Sequence, residues 1–235
     1  MNELAFESMM KLLTPHRAKG YEKLRMGQPY DGGYVLLDDF DGIKLAIAGG
    51  LNNDDSWELE TLKLGIPVMA FDHSDGYIYQ GVDRGYQWFK EPMRGFDSGN
   101  STLDLILSGY ADNSVIAKID IEGDEWKMWA NTRPENLKKI RQFVCEFHNF
   151  PMFEGAIETV SKLFEQFRVV HVHGNNCDIA FSYKNQVVPR VIELTFANKD
   201  FYDLEVSGEV FPSELDAPNN ERAEDFILNT FTIDE

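Results

Sequence analysis

Short apolar runs recur along the chain, separated by longer stretches in which apolar residues return every three or four positions. The runs are Lys44 to Gly49, Ile66 to Asp72, Val115 to Ile121, Gln142 to His148, Arg168 to His173 and Val187 to Phe196, with Tyr86 to Lys90 a weaker one. Each has the length of a strand. Stretches such as Val-Ile-Ala-Lys-Ile-Asp are apolar almost continuously, as strands of a parallel sheet covered on both faces must be. Between them lie helical patterns. Asp54, Asp55 and Ser56 can cap a helix running to about Lys63, with Trp57 and Leu64 on one face. Phe153 to Phe167 brings Ile157, Val160 and Phe164 onto one stripe facing a sheet. The alternation predicts an α/β fold built on a mostly parallel sheet with helices on both faces.

The first 43 residues differ. Leu4, Phe6, Met9, Met10, Leu12 and Leu13 suggest a helix ending near Pro15, and Tyr30-Asp-Gly-Gly-Tyr-Val-Leu-Leu reads as a turn leading into a strand or hairpin. Neither an internal repeat nor a low-complexity linker interrupts the 235 residues. That length suits one domain: an N-terminal cover over residues 1–43, a core over 44–196 and an extension over 197–235.

Charge narrows the choice of partner. Forty Asp and Glu against 22 Lys and Arg give a net charge of −18, and so negative a surface repels phosphate backbones. Nucleic acid and anionic membrane are therefore not expected partners. Residues 200–235 carry eleven acidic groups against the single cation Arg222, which reads as a solvated edge rather than a catalytic surface. No apolar run reaches the 18 residues of a membrane span, and Met-Asn-Glu-Leu-Ala-Phe-Glu-Ser lacks the basic and apolar regions of a secretion signal. Cys145 and Cys177 form no CxxC pair, and Cys145 sits in an apolar run as a small buried hydrophobe. A cytoplasmic, reduced protein is expected. Oligomeric state is open, a homodimer being one option.

Ligands of open parallel sheets bind beyond the carboxyl ends of the strands. The first run delivers Ala48-Gly49-Gly50-Leu51-Asn52, either a plain tight turn or a loop that lets a ligand approach the backbone and a following helix N-terminus. The second ends in Asp72, roughly 20 residues beyond the glycines. There a carboxylate can accept from both ribose hydroxyls of an adenosine ligand, or simply cap a turn. His73 follows it, beside any such ligand. Two further runs end in Asp120-Ile-Glu122 and Glu146-Phe-His148, and side chains two apart on a strand share a face. Four such groups at two strand ends need hydrogen bonds, solvent or a cation. Their oxygen and imidazole donors suit Mg²⁺, Mn²⁺ or Fe²⁺, so Asp120, Glu122, Glu146 and His148 form either a metal site or a solvated polar rim. His171 and His173 share a face ahead of Gly174-Asn175-Asn176; His173 is a candidate base or substrate contact, and Asn175 a substrate contact. Arg84, Lys90 and Arg94 are candidate phosphate contacts or ordinary surface charge. Tyr77, Tyr79, Tyr86, Trp88 and Phe89 could stack on a base or sugar, or pack against the domain.

Lys118-Ile-Asp-Ile-Glu-Gly-Asp-Glu-Trp, Cys145-Glu-Phe-His and Arg25-Met-Gly with Asp31-Gly-Gly-Tyr-Val together resemble the FkbM-type S-adenosylmethionine-dependent methyltransferases over roughly residues 25–196. The resemblance implies a Rossmann-like class I methyltransferase fold with seven strands ordered 3-2-1-4-5-7-6, the seventh antiparallel. It also implies that Gly49 and Gly50 border the methionine part of S-adenosylmethionine, that Asp72 meets its ribose and that Asp120 faces the transfer site. The family's acidic-x-Gly-x-Gly loop is replaced by Ala48-Gly-Gly-Leu-Asn-Asn, which leaves Arg25, Asp31 or Asn52 to meet the donor's amino-acid end. His171-Val-His-Gly-Asn-Asn resembles members that modify sugars for capsule or surface polysaccharide. The expected activity is therefore O-methylation of a sugar or nucleotide-activated sugar, with Asp120, Glu146 and His148 on a divalent metal and Glu122 as a fourth ligand or a group behind them. Two other readings stand beside it: a non-catalytic adenosine-nucleotide-binding subunit, and a nicotinamide-dependent dehydrogenase, which the missing G-x-G-x-x-G turn disfavours.

Overall fold

The computed structural model describes residues 3–74 and 83–232. Its centre is a seven-stranded sheet made of β4 (Leu45–Gly49), β5 (Val68–Phe71), β6 (Gln87–Phe89), β7 (Val115–Ile119), β8 (Ile140–Phe147), β9 (Phe167–Gly174) and β12 (Ile192–Asn198). The spatial order is β6-β5-β4-β7-β8-β12-β9. Counted along the sheet's own strands this is 3-2-1-4-5-7-6, and β12 runs antiparallel to both neighbours. The fold is the one the resemblance implies.

Alternation along each strand sorts the core into two layers. Leu45, Ile47, Val115, Ala117, Ile119, Phe143, Cys145 and Phe147 face a layer with α1 (Glu3–Leu12), α4 (Glu125–Asn131) and α6 (Ala156–Phe164). Ala46, Ala48, Ile116 and Val144 face the other side, packed by α2 (Ser56–Lys63) and by the hairpin of β2 (Lys23–Met26) and β3 (Tyr34–Leu37). Cys145 is fully buried, its sulfur accepting from the Trp129 indole N–H at 3.3 Å.

Several local expectations shift. The run Val187 to Phe196 is two strands, β11 (Gln186–Pro189) and β12, because Arg190 and Val191 turn the chain between the β10 (Ala180–Tyr183) hairpin and the sheet. In α2 Trp57 is buried but Leu64 lies past the last turn and is exposed. The buried stripe of α6 is Ala156, Thr159, Val160 and Leu163, with Ile157 packed at its margin, while Phe164 lies half-buried under the Arg168 guanidinium.

The C-terminal segment departs most from expectation. It is not a solvated edge. After β13 (Leu204–Val206) pairs with β1 (His16–Ala18), the chain crosses the carboxyl end of β9 and the adjoining amino end of antiparallel β12. Phe211, Leu228 and Phe231 are fully buried in the main core, while Asp216 and Asp225 turn inward onto histidines. Asp203, Glu205, Glu209, Asp216 and Asp225 meet cationic or imidazole partners that sequence distance concealed, while Glu214, Glu221 and Glu224 are exposed. No helix among the described residues is long and apolar enough to cross a membrane.

Candidate functional site

Strand register brings four ionisable residues into one row. Glu193 of β12 lies opposite Glu146 of β8 on one side and His173 of β9 on the other, and Asp120 follows the end of β7 beside Glu146. One oxygen of Asp120, one of Glu146 and a ring nitrogen of His148 all lie within 4.8 Å of one another. Direct coordination of one cation by all three groups demands such closeness.

Each member of that triplet is held. Glu125, fully buried at the start of α4, accepts the His148 backbone N–H at 2.6 Å and its Nδ1–H at 3.2 Å through Oε1, and the Gly123 N–H at 2.8 Å through Oε2. This fixes the ring and leaves Nε2 facing Glu146 and Glu122, each at 3.3 Å. The Trp126 indole N–H donates to the His148 carbonyl at 2.7 Å and pins the main chain. Asn175 donates to Glu146 Oε2 at 3.1 Å, and the Tyr34 hydroxyl donates to Asp120 Oδ2 at 3.1 Å. Asp120 Oδ1 is buried and has no hydrogen-bond partner among the described residues.

The electrostatics match a site that wants a cation. Burial raises the Asp120 carboxyl to about 6, against the opposing pull of Lys118 and His148. Burial, then the charges of Asp120 and Glu193, push Glu146 well above the carboxylate range. His148 is raised: burial disfavours its charge, but the Glu125 bond and the surrounding carboxylates outweigh that. Two oxygens and an imidazole nitrogen, with one buried oxygen unused, fit Mg²⁺, Mn²⁺ or Fe²⁺. Glu122 stands apart. It sits past β7 at a φ of 56°, with its side chain 78% exposed, so strand alternation does not place it with Asp120; it reaches His148 from a turn.

Glu125 was not singled out from the sequence, although the second acid after Gly123 marked it. Ligating histidines depend on such partners, whose loss typically lowers metal affinity by roughly 10–100-fold. Glu125→Gln is accordingly expected to weaken Mn²⁺ binding within that range in a calorimetric titration. An unchanged affinity would remove Glu125 from the site.

A cavity of about 310 Å³ opens beside the triplet, lined by Gly50, Asn52, Asp72, His73, Met93, Asp120 and Glu122 among others. Asp72 Oδ2 accepts the N–H groups of Leu51 at 2.8 Å and Asn52 at 3.2 Å, and Oδ1 that of Ser74 at 2.7 Å. Burial opposes its charge, but these bonds hold the carboxyl below its ordinary value. Gly49 lies at the end of β4 against Met93, where a Cβ would press on the sulfur.

Other expectations are redirected. Arg25 does not reach the cavity: its guanidinium caps the carbonyls of Gln28, Tyr30 and Leu215. Arg84 pairs with Asp55 at 3.5 Å and Arg94 lies over the Phe96 ring; neither they nor Lys90 line the cavity. Tyr86 donates to Asp55 and Phe89 stacks on Phe71, while Tyr77 and Tyr79 lie outside the described residues. Asn175 supports Glu146 instead of lining the cavity.

His173 is not available as a base. Both ring nitrogens meet carboxylates, Nδ1 to Glu193 at 3.1 Å and Nε2 to Asp225 at 3.0 Å, so both donate and the ring is an imidazolium. Burial opposes that charge, but Glu193 and Asp225 raise the group from 6.5 to about 10. The neighbouring His171 is arranged for the neutral ring, Nδ1 accepting from Lys23 at 3.0 Å and Nε2–H donating to Asp216 at 2.8 Å. Because His173 holds its proton more tightly folded than unfolded, its stabilisation is complete below about pH 6.5 and lost as pH rises through about 10. Urea midpoints are expected to fall from pH 7 to 10 in the wild type and to fall less in His173→Gln. Parallel profiles would refute the charged assignment.

No family model and no curated protein matches the chain. Among solved structures, a Pyrococcus horikoshii protein described as a "putative RNA methyltransferase" is similar, at 13% identity over 68% of this chain and 76% of that one, with a TM-score of 0.37.

Proposed function

We propose that this chain is an S-adenosylmethionine-dependent O-methyltransferase of the FkbM type, assisted by a divalent cation, acting on a sugar hydroxyl in surface-polysaccharide synthesis. The observation that carries the reading is the convergence of Asp120, Glu146 and His148 within 4.8 Å beside the cavity that Gly50 and Asp72 line. Asp72 holds the ribose of the donor, whose hydroxyls add to the donors already on the carboxylate, and the backbone of the Gly50–Asn52 turn borders its methionine end. Asp120, Glu146 and His148 would hold the cation, with Glu122 reaching in from solvent. A divalent ion so held lowers the pKa of an acceptor hydroxyl, which alone is too weak an acid to ionise at neutral pH.

The chain's own contribution is alignment. Methyl transfer from a sulfonium is an in-line substitution, and orienting the two reactants can contribute on the order of 7–11 kcal/mol. The β7 and β8 ends fix the acceptor side while the β4 and β5 ends fix the donor side. The engagement of Arg84 with Asp55 and of Arg94 with Phe96 favours an acceptor without a diphosphate.

The test is a transfer assay with methyl-labelled S-adenosylmethionine against sugars and nucleotide sugars, with chelator and with Mg²⁺, Mn²⁺ or Fe²⁺ restored. Transfer that requires the cation, with donor binding by calorimetry persisting in chelator, supports the reading. Binding of NAD in place of S-adenosylmethionine, or methyl transfer that proceeds unchanged in chelator, overturns it.

A further inference from the structure

The row of charged groups at the strand ends has a second tier beneath it. Lys118 precedes Asp120 by two positions and so shares its face of the sheet. Its side chain is 4% exposed and lies 3.5 Å from Glu58 of α2, whose side chain is 0% exposed. The ammonium donates to the Gly50 carbonyl and lies 5.7 Å from the centroid of the Tyr34 ring, whose hydroxyl is on Asp120. No step of the proposed chemistry uses Lys118 or Glu58.

A buried ion pair seldom stabilises a fold more than two apolar side chains of similar volume would. What this pair supplies is geometry at one peptide. The turn after β4 is tied on one side by Gly50 N–H to the Phe71 carbonyl at 2.9 Å, and by the Leu51 and Asn52 N–H groups to Asp72. The Gly50 carbonyl points the opposite way, into the apolar layer between the sheet and α2, where an unpartnered carbonyl would carry a penalty of about 1–3 kcal/mol. Lys118 meets it there. With φ at 78°, Gly50 also packs directly on the Asp120 backbone, so rotation of this one peptide disturbs the cavity wall and the Asp120 strand end together.

We propose that Lys118, anchored by Glu58, is a positioning residue for the methyl donor: it holds the Gly50 peptide in the orientation that shapes the donor cavity. This rests on the methyltransferase reading of the cavity. It assigns a buried lysine to donor affinity, leaving the cation and the acceptor to other groups.

The experiment compares wild type with Glu58→Leu/Lys118→Met, which removes both charges together and leaves neither partner bare. Calorimetry with S-adenosylmethionine is expected to show donor affinity lowered by about tenfold or more, as for loss of a supporting shell. The donor KM should rise in parallel, by a larger factor than any fall in kcat at saturating donor. The paired variant Glu58→Gln keeps the ammonium on the Gly50 carbonyl and is expected to retain donor affinity within about threefold, the conservative rescue of an outer-shell contact. A folded double variant that binds donor like wild type overturns the proposal, as does a loss of about tenfold or more in Glu58→Gln, which would trace donor affinity to the Glu58 charge. If the double variant does not fold, Lys118→Met alone takes its place, with the same loss of about tenfold in donor affinity expected and a wild-type affinity overturning the proposal. Wild type that binds no S-adenosylmethionine refutes the methyltransferase reading itself, a result distinct from failure of the variants.

Discussion

His148→Ala is expected to abolish cation-dependent methyl transfer while leaving S-adenosylmethionine binding nearly intact. The imidazole contributes the nitrogen corner of the triplet, and its positive character opposes the rise of the Asp120 carboxyl. Removing it leaves two buried carboxylates that repel each other, with one ligand fewer between them. Cation affinity should fall by more than the roughly 10–100-fold that loss of an outer partner such as Glu125 produces. Folding should survive, because Glu125 keeps the His148 backbone N–H and the Gly123 N–H as donors. Donor binding should survive because Gly50, Asn52 and Asp72 sit at the ends of β4 and β5, whereas His148 follows β8, on the far side of β7. Mn²⁺ titration, donor calorimetry and turnover on one preparation separate these effects. Turnover within tenfold of wild type, or donor binding lost along with cation binding, would contradict the division of labour. Glu122→Ala, by contrast, removes a largely exposed side chain and should cost far less.

The second large effect is structural. Gly50→Ala should unfold the donor side of the site and lower stability by more than about 3 kcal/mol. Gly50 has a φ of 78°, where a side chain carries a penalty of roughly 1–2 kcal/mol, and an added Cβ would overlap the Asp120 carbonyl oxygen. That oxygen belongs to backbone at the end of β7, so it cannot swing aside as a side-chain tip would. For a chain of this length 1 kcal/mol corresponds to roughly 2–4 °C, so the melting temperature should drop by about 6–12 °C. Gly109→Ala is the control: nothing lies within 4 Å of its added Cβ, and its effect should stay within about 0.5 kcal/mol. A Gly50→Ala protein that melts with the wild type and binds donor equally would show that the close approach of β4 and β7 is not required.

Reading the sequence succeeded where the signal was local. Asp120, Glu146 and His148 could be paired from the chain because each stands at the end of an apolar run, and adjacent parallel strands bring their carboxyl ends to one edge. The position of Asp72 on the cavity wall was legible for the same reason. Lys118 was visible as a lone charge in Val-Ile-Ala-Lys-Ile, yet its partner on α2 was not. His173 was misread because a base and a buried imidazolium look alike until the carboxylates beside it are known, and Asp225 lies 52 positions away. The C-terminal acids misled for the opposite reason, since a run of charge with no pattern resembles solvated surface.

The sequence by itself determined most strands of the central sheet and the charged residues at the ends of β5, β7 and β8, because period-two and period-three-to-four patterning is written in neighbouring residues; it ran β11 and β12 together. Only the tertiary structure decided what each charge meets. Inserting antiparallel β12 between β8 and β9 puts Glu193 between Glu146 and His173, and draping the last residues over those ends supplies Asp216 and Asp225. Whether a buried ionisable group is a base, a ligand or a clasp depends on atoms within a few ångströms of it, and those atoms come from distant parts of the chain.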